Sequence, residues 1–235
     1  MIKAFVVQLH EDDYDVEFVD TLLKHLPEAG RKRVRNRQNR TSKLHTIAGE
    51  LLARYSVGQY LGNTKPEIEL IFGEKGKPHI ANLSNVHFNI SHSGNYVVCA
   101  VSEHELGIDV ERIRKVNLRI AERFFSQPEI DDLMALDEDE RMRYFITLWT
   151  IKESYLKAIG RGLTQHLNSF TIRKNSDSYQ LTGNQEAEGY GIEAFSIAPD
   201  YALAICSPLP FSPAEITTIS LKDIILSLPV YPESR

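Results

Sequence analysis

The sequence lacks a surplus of positive charge. Its 27 Lys and Arg stand against 32 Asp and Glu, for a formal net charge of −5 over 235 residues. Nucleic-acid binding draws much of its affinity from cations placed on phosphates. A dedicated nucleic-acid binder is therefore disfavoured, although a local basic patch is compatible with this balance. Cysteine is scarce: Cys99 and Cys206 each lie inside an apolar run, which predicts buried free thiols in a reducing compartment. No Cys/His cluster has zinc spacing. Long apolar runs are missing as well. The opening MIKAFVVQLHEDD turns acidic after a short apolar stretch, too short for a membrane span or a signal peptide and better read as a first strand. These absences point to a soluble, cytoplasmic chain with no membrane segment. What remains is ordinary. Apolar residues at 42% and charged residues at 25% suffice for a packed core, and the length suits one large domain or two small ones.

Periodicity divides the chain. Residues 2–9 alternate as a strand, and apolar residues at 16, 19, 22, 23 and 26 have helical spacing, ended by Pro27 and Gly30. The basic run RKRVRNRQNRTSK at 31–43 reads as a solvated helix face or as an anion site. It leads into a helix over 44–61 with Leu44, Ile47, Ala48, Leu51, Leu52, Tyr55 and Val57 on one stripe, ending at Gly62. GEKGKP at 73–78 is a turn-rich loop with two lysines, where glycine freedom beside an ammonium suits a phosphate, though this pattern alone is a weak signal. Strands are predicted at 86–90 and 96–101, joined by Ser91-His92-Ser93-Gly94-Asn95 as a tight turn, with a third at 106–110. Ser126, Pro128 and Glu129 form a helix start. Residues 144–159 read as a strong helix closed by Gly160 and Gly162, and strands return from residue 169. The Pro-containing tail is expected to wrap the surface.

A weak internal repeat is visible. Glu50–Arg54 and Glu153–Lys157 each place an acid four residues before a base on a helix that ends at glycine. NYVVCA from Asn95 resembles DYALAI from Asp200. Two such halves predict an α+β protein with a pseudo-twofold arrangement of two similar subdomains, 1–105 and 106–235, and a cleft between them.

The chemistry concentrates in two stretches. Asp109 and Glu111 in GIDVE share one face of a strand, where like charges repel unless a cation sits between them. Isolated, such a pair is a solvated strand face; here Ile108 and Val110 point to a buried opposite face. Such a pair would hold Mg²⁺, which keeps waters and substrate phosphates as its other ligands. In LWTIKESYLK, Glu153 lies at the edge of an apolar stripe and Lys152 projects into it. A lysine there needs an anionic partner, and a bound phosphate would supply one. His92 beside Ser91 and Gly94 reads as a local hydrogen-bonding residue or as a donor to a phosphate oxygen. Metal, diphosphate and a carboxylate base together amount to phosphoryl-type transfer.

FNISHSG, GIDVE and WTIKESYLKAIGRGL, in that order and with the DxE and KE elements so separated, resemble the 4′-phosphopantetheinyl transferases of the surfactin-synthetase-activating type. The resemblance covers nearly the whole chain. It implies a monomer of two similar halves that moves the phosphopantetheine arm of coenzyme A onto a serine of an apo peptidyl or acyl carrier protein, releasing adenosine 3′,5′-bisphosphate. It implies Mg²⁺, with Mn²⁺ as the alternative, held by Asp109, Glu111 and Glu153. Glu153, Lys157 and His92 are then catalytic, with Glu153 as the base. Arg33, Thr46, Lys75, Gly76, Lys77, Pro78, Ser91, His92, Lys152 and Lys157 bind the coenzyme. A chain of this length points to activation of peptide or polyketide assembly lines, and so to antibiotic biosynthesis. His45 stands where many relatives have Arg, and Gly30 where a basic residue is expected, so contact with the adenosine 3′-phosphate is redistributed. The carrier is expected against residues 112–125. Two other readings, a nucleic-acid-binding protein using residues 31–43 and an inactive coenzyme A-binding scaffold, have the acidic net charge and the intact carboxylate set against them.

Overall fold

The computed structural model describes residues 1–62, 68–72, 77–81, 83–160, 166–175, 178–183, 185–211 and 213–232. The architecture is α+β, and the chain divides into two compact units: residues 2–103 with 215–235, and residue 1 with 104–214. None of the described helices is long and apolar enough to cross a membrane.

The first unit begins with β1 (Ile2–Gln8), α1 (Val16–Lys24), α2 (Glu28–Arg35) and α3 (Arg40–Tyr60). The basic run is not one helix. Pro27 precedes α2, which stops at Arg35, and α3 starts afresh where the Asn39 side chain accepts from the Ser42 N–H at 2.8 Å. That bond satisfies one of the amides a helix start leaves open. After β2 (Leu70–Phe72) and β3 (Pro78–Ile80) come β4 (His87–Ser93) and β5 (Tyr96–Ser102). All of β5 is buried, with Cys99 opposite Phe5 of β1 on one side and Ile90 of β4 on the other. Leu44, Ile47, Leu51 and Leu52 of α3 are buried in the same core. Each such side chain contributes about 1.5–3 kcal/mol before chain entropy is counted. The turn between β4 and β5 is shorter than the sequence suggested. Ser91, His92 and Ser93 remain in the strand, and only Gly94 (φ 55°) and Asn95 turn. The φ at Gly94 is the conformation that glycine adopts without steric cost.

The second unit contains β6 (Gly107–Arg112), α4 (Ala121–Phe124), α5 (Gln127–Ala135), α6 (Glu138–Ala158), β7 (Thr171–Asn175), β8 (Ser178–Thr182), α7 (Gln185–Glu188), β9 (Tyr190–Ala198) and β10 (Tyr201–Pro208). β10 is central, between β6 and β9, and α6 covers the sheet. α6 starts before the predicted 144. Glu138, Asp139 and Glu140 form an acidic first turn that suits the helix's positive end, but carry no apolar period. The chain closes with β11 (Ala214–Thr218) and α8 (Leu221–Leu226). These complete the first unit, with sheet order β11-β1-β5-β4 and Leu221 and Ile224 in its core. The tail therefore belongs with the first unit, whereas the sequence assigned it to the second.

The repeat is present in a register other than the one read from the helices. Asn95 and Asp200 are equivalent: the Asn95 carbonyl accepts from Leu9 N–H and the Asp200 carbonyl from Ile113 N–H, each at 2.7 Å. That aligns β1 with β6 and β5 with β10. α3 and α6 each run into a positive-φ glycine, Gly62 (φ 68°) and Gly160 (φ 66°). Counting back from these, Arg54 aligns with Lys152 and Tyr55 with Glu153. Arg54 and Lys152 are both buried and both donate to a carbonyl just beyond the helix, Ile68 and Leu167 respectively. The match of Glu50–Arg54 with Glu153–Lys157 is therefore out of register, a coincidence of acid–base spacing.

Candidate active site

β6 and α6 carry the candidate site residues of the second unit. In β6, Ile108 and Val110 are fully buried. Asp109 and Glu111 share the other face, opposite Ala204 and Ala202 of β10. Two alanines leave the cross-strand side of that face uncrowded. Gly107 sets the approach of α6. A Cβ built there would lie 2.5 Å from Ala158 N and 2.9 Å from Lys157 Cβ, inside van der Waals distance of the helix. The close approach brings Lys157 Nζ to 2.6 Å from Asp109 Oδ1 and 3.2 Å from the Ile108 carbonyl. Glu153 is one turn back on the same helix. Burial, then the Asp109 charge, holds its carboxyl above the usual range; Lys157 pulls it back and Glu111 pushes it up again. Among the described residues no group of three or more His, Cys, Asp or Glu lies at metal-ligand spacing. The link among Asp109, Glu111 and Glu153 is electrostatic. The three carboxylates supply hard oxygen donors, the kind a divalent cation such as magnesium takes.

Lys152 does not belong to this group, which corrects its sequence reading. It is 0% exposed and its three protons are used inside the fold: Glu129 Oε1 at 2.9 Å, the Leu167 carbonyl at 2.8 Å and the Phe170 carbonyl at 2.9 Å. An ammonium has three donors, so none is left for a phosphate. The anionic partner its burial demanded is Glu129. That carboxylate also accepts from Ser126 N–H (2.8 Å), closing the capping box of α5, and from Ile172 N–H (2.7 Å). The helix start read at Ser126 and the lysine read in the α6 stripe are two ends of one ion pair.

The first unit carries a separate basic pocket of about 200 Å³, lined by Arg33, Arg37, His45, Thr46, Gly49, Glu50, Leu70, Pro78, Ile90 and His92. Arg37 Nε donates to Thr46 Oγ1 at 3.0 Å, and Thr46 donates to the Ser42 carbonyl at 2.8 Å. Arg33 Nη2 lies 2.7 Å from Glu50 Oε2. His45 Nε2 lies 2.8 Å from the Gly94 carbonyl, and its ring stacks on His92 at 4.5 Å between centroids. Gly30 has a steric reason: a Cβ there would meet Glu50 Oε1 at 2.6 Å. Of the residues assigned to coenzyme binding, Arg33, Thr46, Pro78 and His92 line this pocket. Ser91 does not. Neighbours along a strand face opposite ways, and Ile90 and His92 are the pair turned to the pocket while Ser91 is buried opposite Val98. Lys77 is half-buried beside Pro78. Lys75 and Gly76 lie outside the described residues.

Comparison with known proteins agrees with both halves of this layout. Residues 105–206 match the model of the 4′-phosphopantetheinyl transferase superfamily, and residues 15–104 match that of the 4′-phosphopantetheinyl transferase N-terminal region. The 4′-phosphopantetheinyl transferase Sfp of Bacillus subtilis is 36% identical over 198 residues, 83% of this chain and 88% of that protein. A second B. subtilis 4′-phosphopantetheinyl transferase, ffp, is 34% identical over 89% of this chain and 94% of its own length. The transferase gsp of Aneurinibacillus migulanus is 39% identical over 69% and 68%. The chain belongs to the 4′-phosphopantetheinyl transferase superfamily. As a member it is an enzyme of that activity, a 4′-phosphopantetheinyl transferase.

Several residues that shape this transferase were not picked out as site residues. Gly107 was read only as part of GIDVE; its role needs a helix laid across it. Arg37 was one of a row of basic residues, and no period singled it out. Glu50 was read as half of a repeat, whereas it joins Arg33 and Arg54 (3.1 Å) in one buried ion network.

Proposed function

We propose that the transferase moves the 4′-phosphopantetheine group of coenzyme A to a serine of an apo peptidyl or acyl carrier protein, with magnesium, or manganese in its place, held by Asp109, Glu111 and Glu153. The observation that supports this most is the Asp109–Glu111–Glu153 set with Lys157 against Asp109 at 2.6 Å. The metal, when bound, supplies positive charge against the diphosphate. Glu153 takes the proton of the carrier serine. The serine oxygen forms a bond to the phosphorus that bears pantetheine, the bond from that phosphorus to the bridging oxygen breaks, and adenosine 3′,5′-bisphosphate leaves with the electron pair. Lys157 stabilises the charge that gathers on the phosphoryl oxygens.

Arg33, Arg37 and His92 offer donors to a phosphate group of the coenzyme in the basic pocket. A groove of about 210 Å³ in the second unit, lined by Glu111, Arg114, Val116, Ile120, Phe145, Ile146 and Trp149, gives an apolar approach to Glu111. It is the surface proposed for the carrier. Nucleic-acid binding by the basic run has less support, because Arg31 and Arg33 are engaged within the fold. Free buried Cys99 and Cys206 fit a reducing cytoplasm. One chain carries both the carboxylate set and the basic pocket, which suits a monomer. Peptide or polyketide assembly lines are the proposed source of the carrier, in antibiotic biosynthesis.

The test mixes the protein with coenzyme A, Mg²⁺ and a panel of apo carriers, and reads the carrier mass. A phosphopantetheine adduct that disappears with chelator and returns with Mg²⁺ or Mn²⁺ is expected. Folded protein that modifies none of the carriers would overturn the proposal.

A further inference from the structure

The last described residues of the chain are tied to the basic helix α2 far more closely than their burial requires. Leu228 reaches the core of the first unit, but beyond it Val230 is 65% exposed and Pro232 is exposed. Area burial therefore gives residues 229–232 little hold. Hydrogen bonds give them a great deal. Arg31, buried, donates from Nη2 to the Tyr231 carbonyl at 2.7 Å, from Nη1 to the Pro232 carbonyl at 3.0 Å and from Nε to the Leu23 carbonyl at 3.1 Å. Tyr231 N–H donates to the Lys24 carbonyl at 2.8 Å, and His25 Nδ1 lies 3.2 Å from the Leu228 carbonyl. A planar guanidinium bonded along both its edges is fixed in orientation.

Two routes lead from this fastening to the basic pocket. One is α2 itself: Arg33, a pocket residue, is two positions after Arg31 on the same short helix. The other is a chain of side chains. Tyr231 Oη accepts from Arg54 Nη1 at 3.4 Å and the Arg54 guanidinium lies 6.0 Å from the Tyr231 ring centre. Arg54 holds Glu50 Oε1 at 3.1 Å, and the other Glu50 oxygen holds Arg33 at 2.7 Å. Arg33, Arg54 and Tyr231 also share the wall of a second cavity of about 500 Å³. The partners of Arg31 are carbonyl dipoles, which orient its charge without cancelling it.

We propose that Arg31 and the Tyr231–Pro232 carbonyls form a latch that positions Arg33 for a phosphate group of coenzyme A, making Arg31 a positioning residue for the reaction. The proposal rests on the reading that the basic pocket takes such a phosphate. The latch acts on coenzyme binding and leaves the carboxylate chemistry of the second unit alone.

The experiment measures coenzyme A affinity by calorimetry, with kcat and the KM for each substrate, in the intact protein, Arg31→Gln, Arg31→Lys, a chain ended at Pro229, and Arg33→Ala. Arg31→Gln and the shortened chain are expected to weaken coenzyme A binding roughly tenfold and to raise its KM equally, with kcat within about twofold and the carrier KM unchanged. Arg31→Lys, which keeps the charge and can reach one carbonyl, is expected to recover part of the loss. If Arg33→Ala weakens binding while Arg31→Gln and the shortened chain bind as the native protein does, the latch is refuted and the pocket reading stands. If Arg33→Ala binds coenzyme A normally, the pocket reading itself has failed. Loss of kcat and of carrier KM in parallel with coenzyme affinity would make the contact a general fold element and overturn the proposal. Should Arg31→Gln not fold, by circular dichroism, the shortened chain decides the question alone.

Discussion

Put the two units in register and the same three positions carry opposite chemistry. In the first unit Phe5 and Val7 face α3, and Phe5 packs edge-on against Tyr55 at 5.4 Å between ring centres. In the second unit the equivalent strand positions are Asp109 and Glu111, and the equivalent helix position is Glu153. Where the first unit packs two aromatic rings, the second places carboxylates, and burial, helped by the Asp109 and Glu111 charges, holds the Glu153 carboxyl above the usual range. The frame is shared: a buried central strand, a long helix ending at a positive-φ glycine, and a buried cation holding the chain that follows. What differs is that the first unit fills the interface with apolar area and the second places like charges there. Apolar burial at those positions stabilises the fold; carboxylates brought together there cost stability. Gly107 makes the second arrangement workable. It stands where the first unit has Lys3, and it draws α6 close enough for Lys157 to balance Asp109.

The comparison is broken most severely by removing the charges. Glu153→Gln keeps the shape and removes the proposed base, and carrier modification is expected to fall roughly 10³-fold. The circular dichroism spectrum and melting temperature should be unchanged or raised. Near-normal turnover by this variant would sink the role given to Glu153.

The next largest effect tests the shared frame. Lys152→Ala strands Glu129 in the core and is expected to cost about 3–5 kcal/mol in denaturant unfolding. Lys152→Met paired with Glu129→Leu removes both charges and should recover most of that loss. A coenzyme-binding Lys152 predicts the reverse, with stability kept and coenzyme KM raised. In the first unit Arg54→Ala exposes the same dependence, since Glu50 then keeps only Arg33.

A pair of substitutions with smaller effects on stability sharpens the contrast at equivalent positions. Phe5→Leu should cost about 1 kcal/mol of stability, as a near volume-conserving swap in a core, and leave turnover alone. Asp109→Leu should leave stability equal or higher and abolish turnover, because it restores the apolar pattern of the first unit while removing the Lys157 partner and a proposed metal ligand. Equal effects of the two on turnover would mean the positions are not functionally distinct.

Much of this layout could be read from the residues in order. The strands around Cys99 and Cys206, the helix ends at Gly62 and Gly160, and the DxE and KE elements each carry a local signal: alternation, a helix-ending glycine, paired acids. What could not be read depends on where the chain meets itself. Lys152 in an apolar stripe demanded an anion, but nothing local chose between a phosphate and Glu129, more than twenty residues earlier. Ser91 and His92 were placed together because a turn was expected; three more residues of strand put them on opposite faces. The repeat register failed because acid–base spacing is common on helices, whereas a buried cation donating to a returning carbonyl cannot be seen before folding.

The smallest expected effect concerns the basic pocket of the first unit. His45 ties α3 to the β4–β5 turn through the Gly94 carbonyl and gives His92 a ring to stack on. His45→Gln retains a donor for that carbonyl and loses the stacking surface; His45→Ala loses both. One hydrogen bond is worth on the order of 1 kcal/mol. His45→Ala should therefore raise the coenzyme A KM about fivefold with little change in kcat, and His45→Gln should fall between it and the native protein. In a His92→Ala background the His45 substitutions should lose the part of their effect that passes through the stacked ring and keep the part that passes through the turn. Full additivity of the two would show that the stacking does not orient His92. The pocket would then depend on the turn alone.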